Sequence, residues 1–148
     1  MTKIKKPTKE EIRDFINSQQ SLQFYKRTQK AFEDVFSAMP KEDFDSLTKN
    51  LIIVALHEGV LGQMMHFPDP KGKFKVMQLT IQNGMPIDVL RFVIAHELGH
   101  ATQGRNWKKS DGSKLETDAD EKAAGWGFKR TKKIDKFIKK SWKKSDRC

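Results

Sequence analysis

Residues 87–98 constrain the fold most, because this segment is apolar at nearly every position. It follows Pro86, a residue that is tolerated at the first position of a helix, and it is long enough for three helical turns. A helix that is apolar on almost all sides is buried on almost all sides, so the rest of the chain has to pack around it. Its few polar side chains are costly to bury and need a reason. They are Asp88, Arg91, His96 and Glu97.

The sequence HELGH at residues 96–100 supplies that reason. Histidines four positions apart lie on one face of a helix, so His96 and His100 can bind the same zinc ion. Glu97 points about 100° around the helix from His96, where it can act as a general base on zinc-activated water. The alternative is two hydrogen-bonded core histidines, but with four histidines in the chain chance predicts only roughly 0.006 such patterns. We therefore expect one zinc ion per chain.

A zinc site of this kind needs a third protein ligand. No histidine follows His100, and the position six residues further on, where longer patterns carry a third histidine, is Asn106. A carboxylate is the natural alternative. The segment ETDADEKA at residues 116–123 offers several carboxylates and is predicted to be helical.

Four side chains of that segment share one helix face: Glu116, Ala119, Asp120 and Ala123. The two alanines are small, so this helix can approach the first one closely and Glu116 would then reach the metal. Asp120, one turn further on, could accept the free ring N–H of a ligand histidine and fix its tautomer. Asp120 and Glu121 remain alternative ligands, and an ordinary charged surface helix is the alternative for the whole segment.

Helices are also predicted at the start of the chain. Thr8 and Glu11 have the spacing of a capping box that opens a short amphipathic helix. A second helix begins near Ser21, carries one apolar stripe and ends at Pro40. Residues 41–58 fit either a helix or a buried strand, and the sequence leaves both alternatives open.

Residues 60–67 and 74–81 predict two strands joined by the turn residues of 68–72. Together with the helices, they predict an α+β fold with a small, mostly antiparallel sheet. We expect a single domain over residues 1–128, with its catalytic part at about 60–128.

The end of the chain is strongly basic. Residues 129–148 contain ten Lys/Arg and two Asp and thus carry +8 of the net charge of +10. Apolar residues at helical spacing predict a basic amphipathic helix that docks on the core of the domain. Its outer face could bind nucleic acid weakly and without sequence preference, or it could bind anionic lipid or an acidic partner. Alternatively, the charge could simply aid solubility. The apolar residues are Ile134, Phe137, Ile138 and Trp142.

HELGH followed by E-x-x-A-D-x-x-A resembles the gluzincin metallopeptidases, and residues 73–128 carry this resemblance. Among small members the chain is most similar to ImmA/IrrE-like intracellular peptidases, with minigluzincin-like and SprT-like proteins as close second choices. The resemblance implies that His96, His100 and Glu116 bind zinc and that Glu97 is the catalytic base. It also implies a zincin-like fold with an edge strand beside the cleft.

Two features depart from this pattern. Many peptidases of this type stabilise the oxyanion with a tyrosine or an extra histidine, whereas the candidates here are Tyr25, His57 and His66. His66 lies near the predicted turn, where a partly exposed histidine without a catalytic role is the commoner case. A specificity pocket could be lined by Trp107, Trp126 and Trp142, although the position of Trp126 favours packing in the core.

These observations predict a zinc metalloendopeptidase that hydrolyses peptide bonds in an intracellular protein substrate. The alternative is a catalytically weak or inactive zincin-fold binding protein that engages nucleic acid or a partner through residues 129–148. The intact Glu97 favours the enzyme, because a scaffold does not need the base.

Location and assembly are predicted from what the sequence lacks. The longest apolar run, residues 51–56, is far shorter than the about 20 residues of a membrane span. The charged start has no apolar h-region, so an ordinary secretory signal is not expected. The one cysteine, Cys148, cannot form an internal disulfide. We expect a cytoplasmic monomer.

Overall fold

The N-terminal part of the chain is helical. A computed structural model describes residues 3–56, 61–66, 74–80, 84–103 and 112–145. Its first helices are α1 (Lys9–Ser18), α2 (Lys26–Ala38) and α3 (Lys41–Thr48), and a 3-10 turn at Gln20–Leu22 separates α1 from α2. Their apolar faces meet in edge-to-face contacts among Phe15, Phe36 and Phe44.

Thr8 caps α1 as predicted. The Glu11 N–H donates to the Thr8 hydroxyl at 3.1 Å, and the Glu11 carboxylate accepts the Thr8 N–H at 2.8 Å. The prediction that the second helix begins near Ser21 is wrong. The chain first makes the 3-10 turn, after which the Tyr25 N–H donates to the Leu22 carbonyl, and α2 begins one residue later. Leu22 is buried in the turn, so the apolar pattern continues across the break and does not reveal it.

The segment after α2 contains both structures that the sequence left open. Helix α3 is followed by strand β1 (Leu51–Leu56). Asn50, just before the strand, has a φ of 60°, a left-handed conformation that asparagine tolerates better than most residues. Gln19 holds the new strand in place, because its side-chain amide bonds to the backbone of both Leu51 and Ile53.

The sheet has three described strands. The predicted hairpin is confirmed as β2 (Gly62–His66) and β3 (Lys75–Thr80), which pair antiparallel, while its turn lies outside the described residues. β1 pairs parallel with the other side of β3, and the order is β1-β3-β2. The sheet is therefore mixed rather than mostly antiparallel. The parallel pair joins strands distant in sequence, which no local pattern predicts, and β2 lies at an edge of this three-stranded sheet.

Helix α4 (Ile87–Ala101) is the buried helix that the apolar segment predicts. Pro86 is the N-cap residue, and the first helical residue is Ile87. Every residue from 92 to 99 is buried, between α2 and the sheet. The fully buried side chains that surround it include Phe32 and Leu79. The fold is thus α+β, with further helices before and after the helix that carries HELGH.

Two further helices complete the described chain. Helix α5 (Gly112–Gly125) packs against α4 through the buried Ala119 and Ala123, as predicted for small residues at these positions. Helix α6 (Lys132–Ser145) also packs against α4. Ile134 and Ile138 are buried and Phe137 is partly buried, which confirms that the basic helix docks on the core; the side chain of Trp142 lies outside the described part.

Trp126 is part of the core rather than of a pocket. It is 6% exposed and its indole N–H donates to the Asp43 carboxylate at 2.9 Å. In the part of the chain that the structure describes, no helix is both long enough and apolar enough to cross a membrane.

Candidate metal centre

Helix α4 places two imidazole rings side by side. The Nε2 atoms of His96 and His100 lie 3.0 Å apart, and the two rings are perpendicular to each other. This arrangement follows from the spacing of four residues, which puts both side chains on one face of the helix. His96 is only 7% exposed. The two Nε2 atoms therefore meet at the edge of the core.

Helix α5 adds a carboxylate to the pair. The Oε2 atom of Glu116 lies 3.0 Å from His96 Nε2, and its Oε1 atom lies 3.3 Å from His100 Nε2. One ligand atom from each of the three residues lies within 4.8 Å of the other two. The structure thus brings together the three residues that the sequence singled out as metal ligands. Among the described residues, neither Asp120 nor Glu121 belongs to this group.

The reach of Glu116 depends on how closely the two helices approach. A Cβ atom placed on Gly99 would lie 2.8 Å from the Ala119 carbonyl oxygen, which is closer than van der Waals contact allows. Glycine on α4 and alanine on α5 therefore let the backbones meet. Ala119 is one turn beyond Glu116, so this contact sets the distance of the carboxylate from α4.

Asp120 occupies the position predicted for it. The His96 Nδ1–H donates to Asp120 Oδ1 at 2.7 Å, which leaves the Nε2 lone pair of His96 directed toward Glu116. Asp120 is held in turn by Arg130, whose Nε and Nη2 atoms lie 2.9 Å and 3.2 Å from its two oxygens. Such a bidentate pair fixes the orientation of the carboxylate.

Sequence reasoning missed the contribution of Arg130. It lies within residues 129–148, the strongly basic end of the chain. In the structure its guanidinium also stacks over the Phe92 ring, with its Cζ atom 4.9 Å from the centroid. A single arginine in a basic run gives no local signal of such a contact.

Gln103 is a second residue that sequence reasoning missed. Its Oε1 atom lies 2.9 Å from His100 Nδ1, and its Nε2 atom donates to the Leu115 carbonyl at 2.7 Å. A weak signal was present in the sequence, because Gln103 follows His100 by three residues and α4 extends to Ala101.

The close contacts among His96, His100 and Glu116 shift the pKa values of His100 and Glu116. Burial lowers the pKa of His100, but the hydrogen bonds with Glu116 and Gln103, together with the negative charges of Glu97 and Glu116, outweigh burial and raise that pKa to about 9. When His100 and His96 also carry a proton on Nε2, they hydrogen-bond to Glu116 and hold its pKa well below its usual range. A cation at this position competes with a proton, so metal binding here would release protons and depend on pH.

Glu97 lies beside the cluster but outside it. It is 6% exposed, and burial raises the pKa of its carboxyl group, although His96, His100 and the Met64 N–H act in the opposite direction. Strand β2 runs directly over it: a Cβ atom on Gly62 would lie 2.7 Å from Glu97 Cγ. The glycine therefore makes room for the glutamate beneath the edge strand.

Two cavities meet at Glu97 and Glu116. The larger, of about 510 Å³, lies between β2 and the start of α5 and is also lined by His100 and Gln103. The smaller, of about 270 Å³, is lined by four apolar side chains and by four polar or charged ones, His96, Glu97, Glu116 and Arg130. The apolar lining residues of the smaller cavity include Leu61, Phe92, Val93 and Ile138.

The residues predicted as oxyanion candidates either do not line the two cavities or have side chains outside the described part. Tyr25 lies just before α2 and is not among the described residues that line the two cavities. The backbone of His66 ends β2, but its side chain lies outside the described part, as does His57. Trp107, a candidate for a specificity pocket, also lies outside the described residues.

No protein-family model matches this chain, and neither the curated proteins nor the solved structures gave a match. The likeness to gluzincins therefore depends on the motif residues themselves, and the structure shows the fold as α+β without relating it to a known fold.

Proposed function

We propose that this protein is a zinc-dependent peptidase that cleaves an intracellular protein substrate in the cytoplasm. His96, His100 and Glu116 would hold one zinc ion, and Glu97 would be the general base. The two histidines and the glutamate form a donor set that catalytic zinc sites use. His100 and Glu116 lie at the wall of the larger cavity and His96 at the wall of the smaller one, which supports a catalytic rather than a closed structural site.

The observation that carries this proposal is the convergence of two imidazole Nε2 atoms and one carboxylate. The Nδ1–H of His96 is already engaged by Asp120, so the Nε2 atom of a neutral His96 has a lone pair but no proton. That lone pair faces His100 Nε2 at 3.0 Å and Glu116 at 3.0 Å. Electron-rich atoms in such an arrangement repel one another unless a cation or proton lies between them.

When bound, zinc would polarise the scissile carbonyl and lower the pKa of a bound water to about 7. Glu97 would accept the proton of the attacking water and deliver it to the leaving amine. The burial that raises its carboxyl pKa suits this role, because a carboxylate with a raised pKa accepts a proton more readily. Asp120 would keep His96 in the tautomer that leaves Nε2 free.

Strand β2 supports a mode of substrate binding. It pairs with β3 on one side only among the described strands, and it borders the larger cavity through residues 62–65. An extended peptide could add to this edge by backbone hydrogen bonds and pass Glu97. The smaller cavity beside Glu97 would then accept an apolar side chain of the peptide.

The experiment measures zinc content and peptide hydrolysis in matched variants. We expect about one zinc ion per chain, lost in His96→Ala, His100→Ala and Glu116→Ala. Glu121→Ala is the control, since Glu121 is exposed on the same helix and outside the cluster. Glu97→Gln should keep zinc and lose hydrolysis. Full zinc occupancy in either histidine variant, or undiminished hydrolysis by Glu97→Gln, would refute the proposal.

A second candidate function is polyanion binding by α6. With Ile134 and Ile138 packed against the core, the exposed lysines of this helix remain on its outer face. Some are engaged in ion pairs, as Lys133 is with Asp88 and Lys139 is with Asp135. The remaining positive charge would bind nucleic acid weakly and without sequence preference, because lysines contact phosphates rather than base edges.

A further inference from the structure

Gln103 links the two helices that carry the candidate ligands. It lies just beyond α4 and three residues after His100. The Leu115 carbonyl oxygen can only accept a hydrogen bond, so the amide nitrogen of Gln103 has to face it, at 2.7 Å. The amide oxygen then has to face His100 Nδ1, at 2.9 Å. The orientation of the side chain is thus set by the backbone of α5.

This orientation determines the tautomer of His100. An amide oxygen only accepts hydrogen bonds, so His100 Nδ1 has to carry a proton and donate it. The lone pair of a neutral ring is then on Nε2, which points at Glu116 and at His96 Nε2. The two histidines reach the same tautomer through different acceptors, since a carboxylate serves His96 and a neutral amide serves His100.

We propose that Gln103 is a positioning residue for the candidate metal centre, an inference that rests on the proposed zinc site. It prepares His100 to bind zinc through Nε2 by accepting the Nδ1–H. Through Leu115 it also holds the backbone of the residue that precedes Glu116. One uncharged side chain therefore aligns a ligand from each helix and adds no charge to the site.

The first test compares zinc affinities by competition with a chromophoric chelator. Gln103→Met keeps a similar length but removes both hydrogen bonds, and we expect it to weaken zinc binding by about 10–100-fold. Gln29→Met is the matched control, because it removes a glutamine-to-backbone hydrogen bond of 2.8 Å, to the Leu22 carbonyl, outside the two cavities. We expect the control to bind zinc as the parent does.

Gln103→Glu separates a positioning role from a merely structural one. Its carboxylate can accept the His100 N–H but cannot donate to Leu115. We expect it to recover most of the zinc affinity that Gln103→Met loses. Zinc affinity as weak as that of Gln103→Met would overturn the proposal that Gln103 prepares His100 for zinc, because the contact with Leu115 alone would then explain the loss.

NMR of the ring N–H protons in the zinc-loaded protein provides an independent readout. In Gln103→Met the His100 Nδ1–H should exchange faster with water, while the His96 Nδ1–H, bonded to Asp120, should not change. General loosening of the fold would affect both protons. Unchanged zinc affinity in Gln103→Met, or an unchanged exchange rate of the His100 Nδ1–H, refutes the role of Gln103 but leaves the zinc site standing. Absence of zinc binding by the parent refutes the zinc site and this inference with it.

Discussion

Gly99 is a point of close approach between α4 and α5, and we predict that Gly99→Ala weakens both the fold and zinc binding. The new Cβ atom would lie 2.8 Å from the Ala119 carbonyl oxygen and 3.1 Å from its Cα atom. Both are backbone atoms, so no side-chain rotation relieves the contact. Helix α5 would have to retreat by about 0.6 Å to restore an ordinary contact of 3.4 Å.

Two opposing terms decide the change in stability. Alanine is favoured over glycine inside a helix by about 1 kcal/mol, whereas overpacking costs about 1–3 kcal/mol. From the middle of that range we expect a net loss of about 1 kcal/mol in the free energy of unfolding, or about 3 °C in melting temperature. Glu116 would move with α5 by more than the about 0.2 Å that a metal–ligand distance tolerates. Zinc affinity should therefore fall by about tenfold or more.

The assay combines thermal unfolding of the zinc-free protein with chelator competition for zinc. Gly125→Ala is the matched control on α5, because nothing lies within 4 Å of the Cβ atom that it adds. It should stabilise the fold by up to about 1 kcal/mol and leave zinc affinity unchanged. If Gly99→Ala proves as stable as this control and binds zinc like the parent, the close packing of α4 on α5 is refuted.

Two further predictions concern the surface. The hydrogen bond to Lys41 and that to the Thr8 N–H lower the pKa of Glu11 from 4.5 to about 2. A lowered pKa stabilises the fold above pH 4.5, and this contribution is lost as the pH falls through about 2. Glu11→Gln should thus lower the melting temperature slightly at pH 7 and not at pH 2; an equal drop at both would contradict it. Replacing six lysines by glutamine should abolish weak DNA binding at about 50 mM salt in a filter-binding assay, and unchanged binding would exclude α6 as the interface. These lysines are Lys132, Lys133, Lys139, Lys140, Lys143 and Lys144.

Local features of this protein can be predicted from its amino-acid sequence. The i, i+4 spacing of His96 and His100 places both rings on one helix face wherever that helix packs. The same holds for the capping box at Thr8 and for the face that Glu116 shares with Asp120. These features are predictable because helix geometry relates residues within one or two turns, independently of the rest of the fold. Their meeting in space is shown by the structure, while their binding of zinc stays a prediction.

The residues that complete the site from distant parts of the chain are visible in the tertiary structure and not in the sequence. The pairing of β1 with β3 and the contacts of Arg130 with Asp120 and of Gln103 with Leu115 join segments that no short-range periodicity relates. The break at residues 20–25 was also hidden, because a 3-10 turn can bury the same apolar positions as a continuous helix. Local patterns determine which face of an element is apolar, but the neighbour that covers this face is chosen by packing across the whole chain.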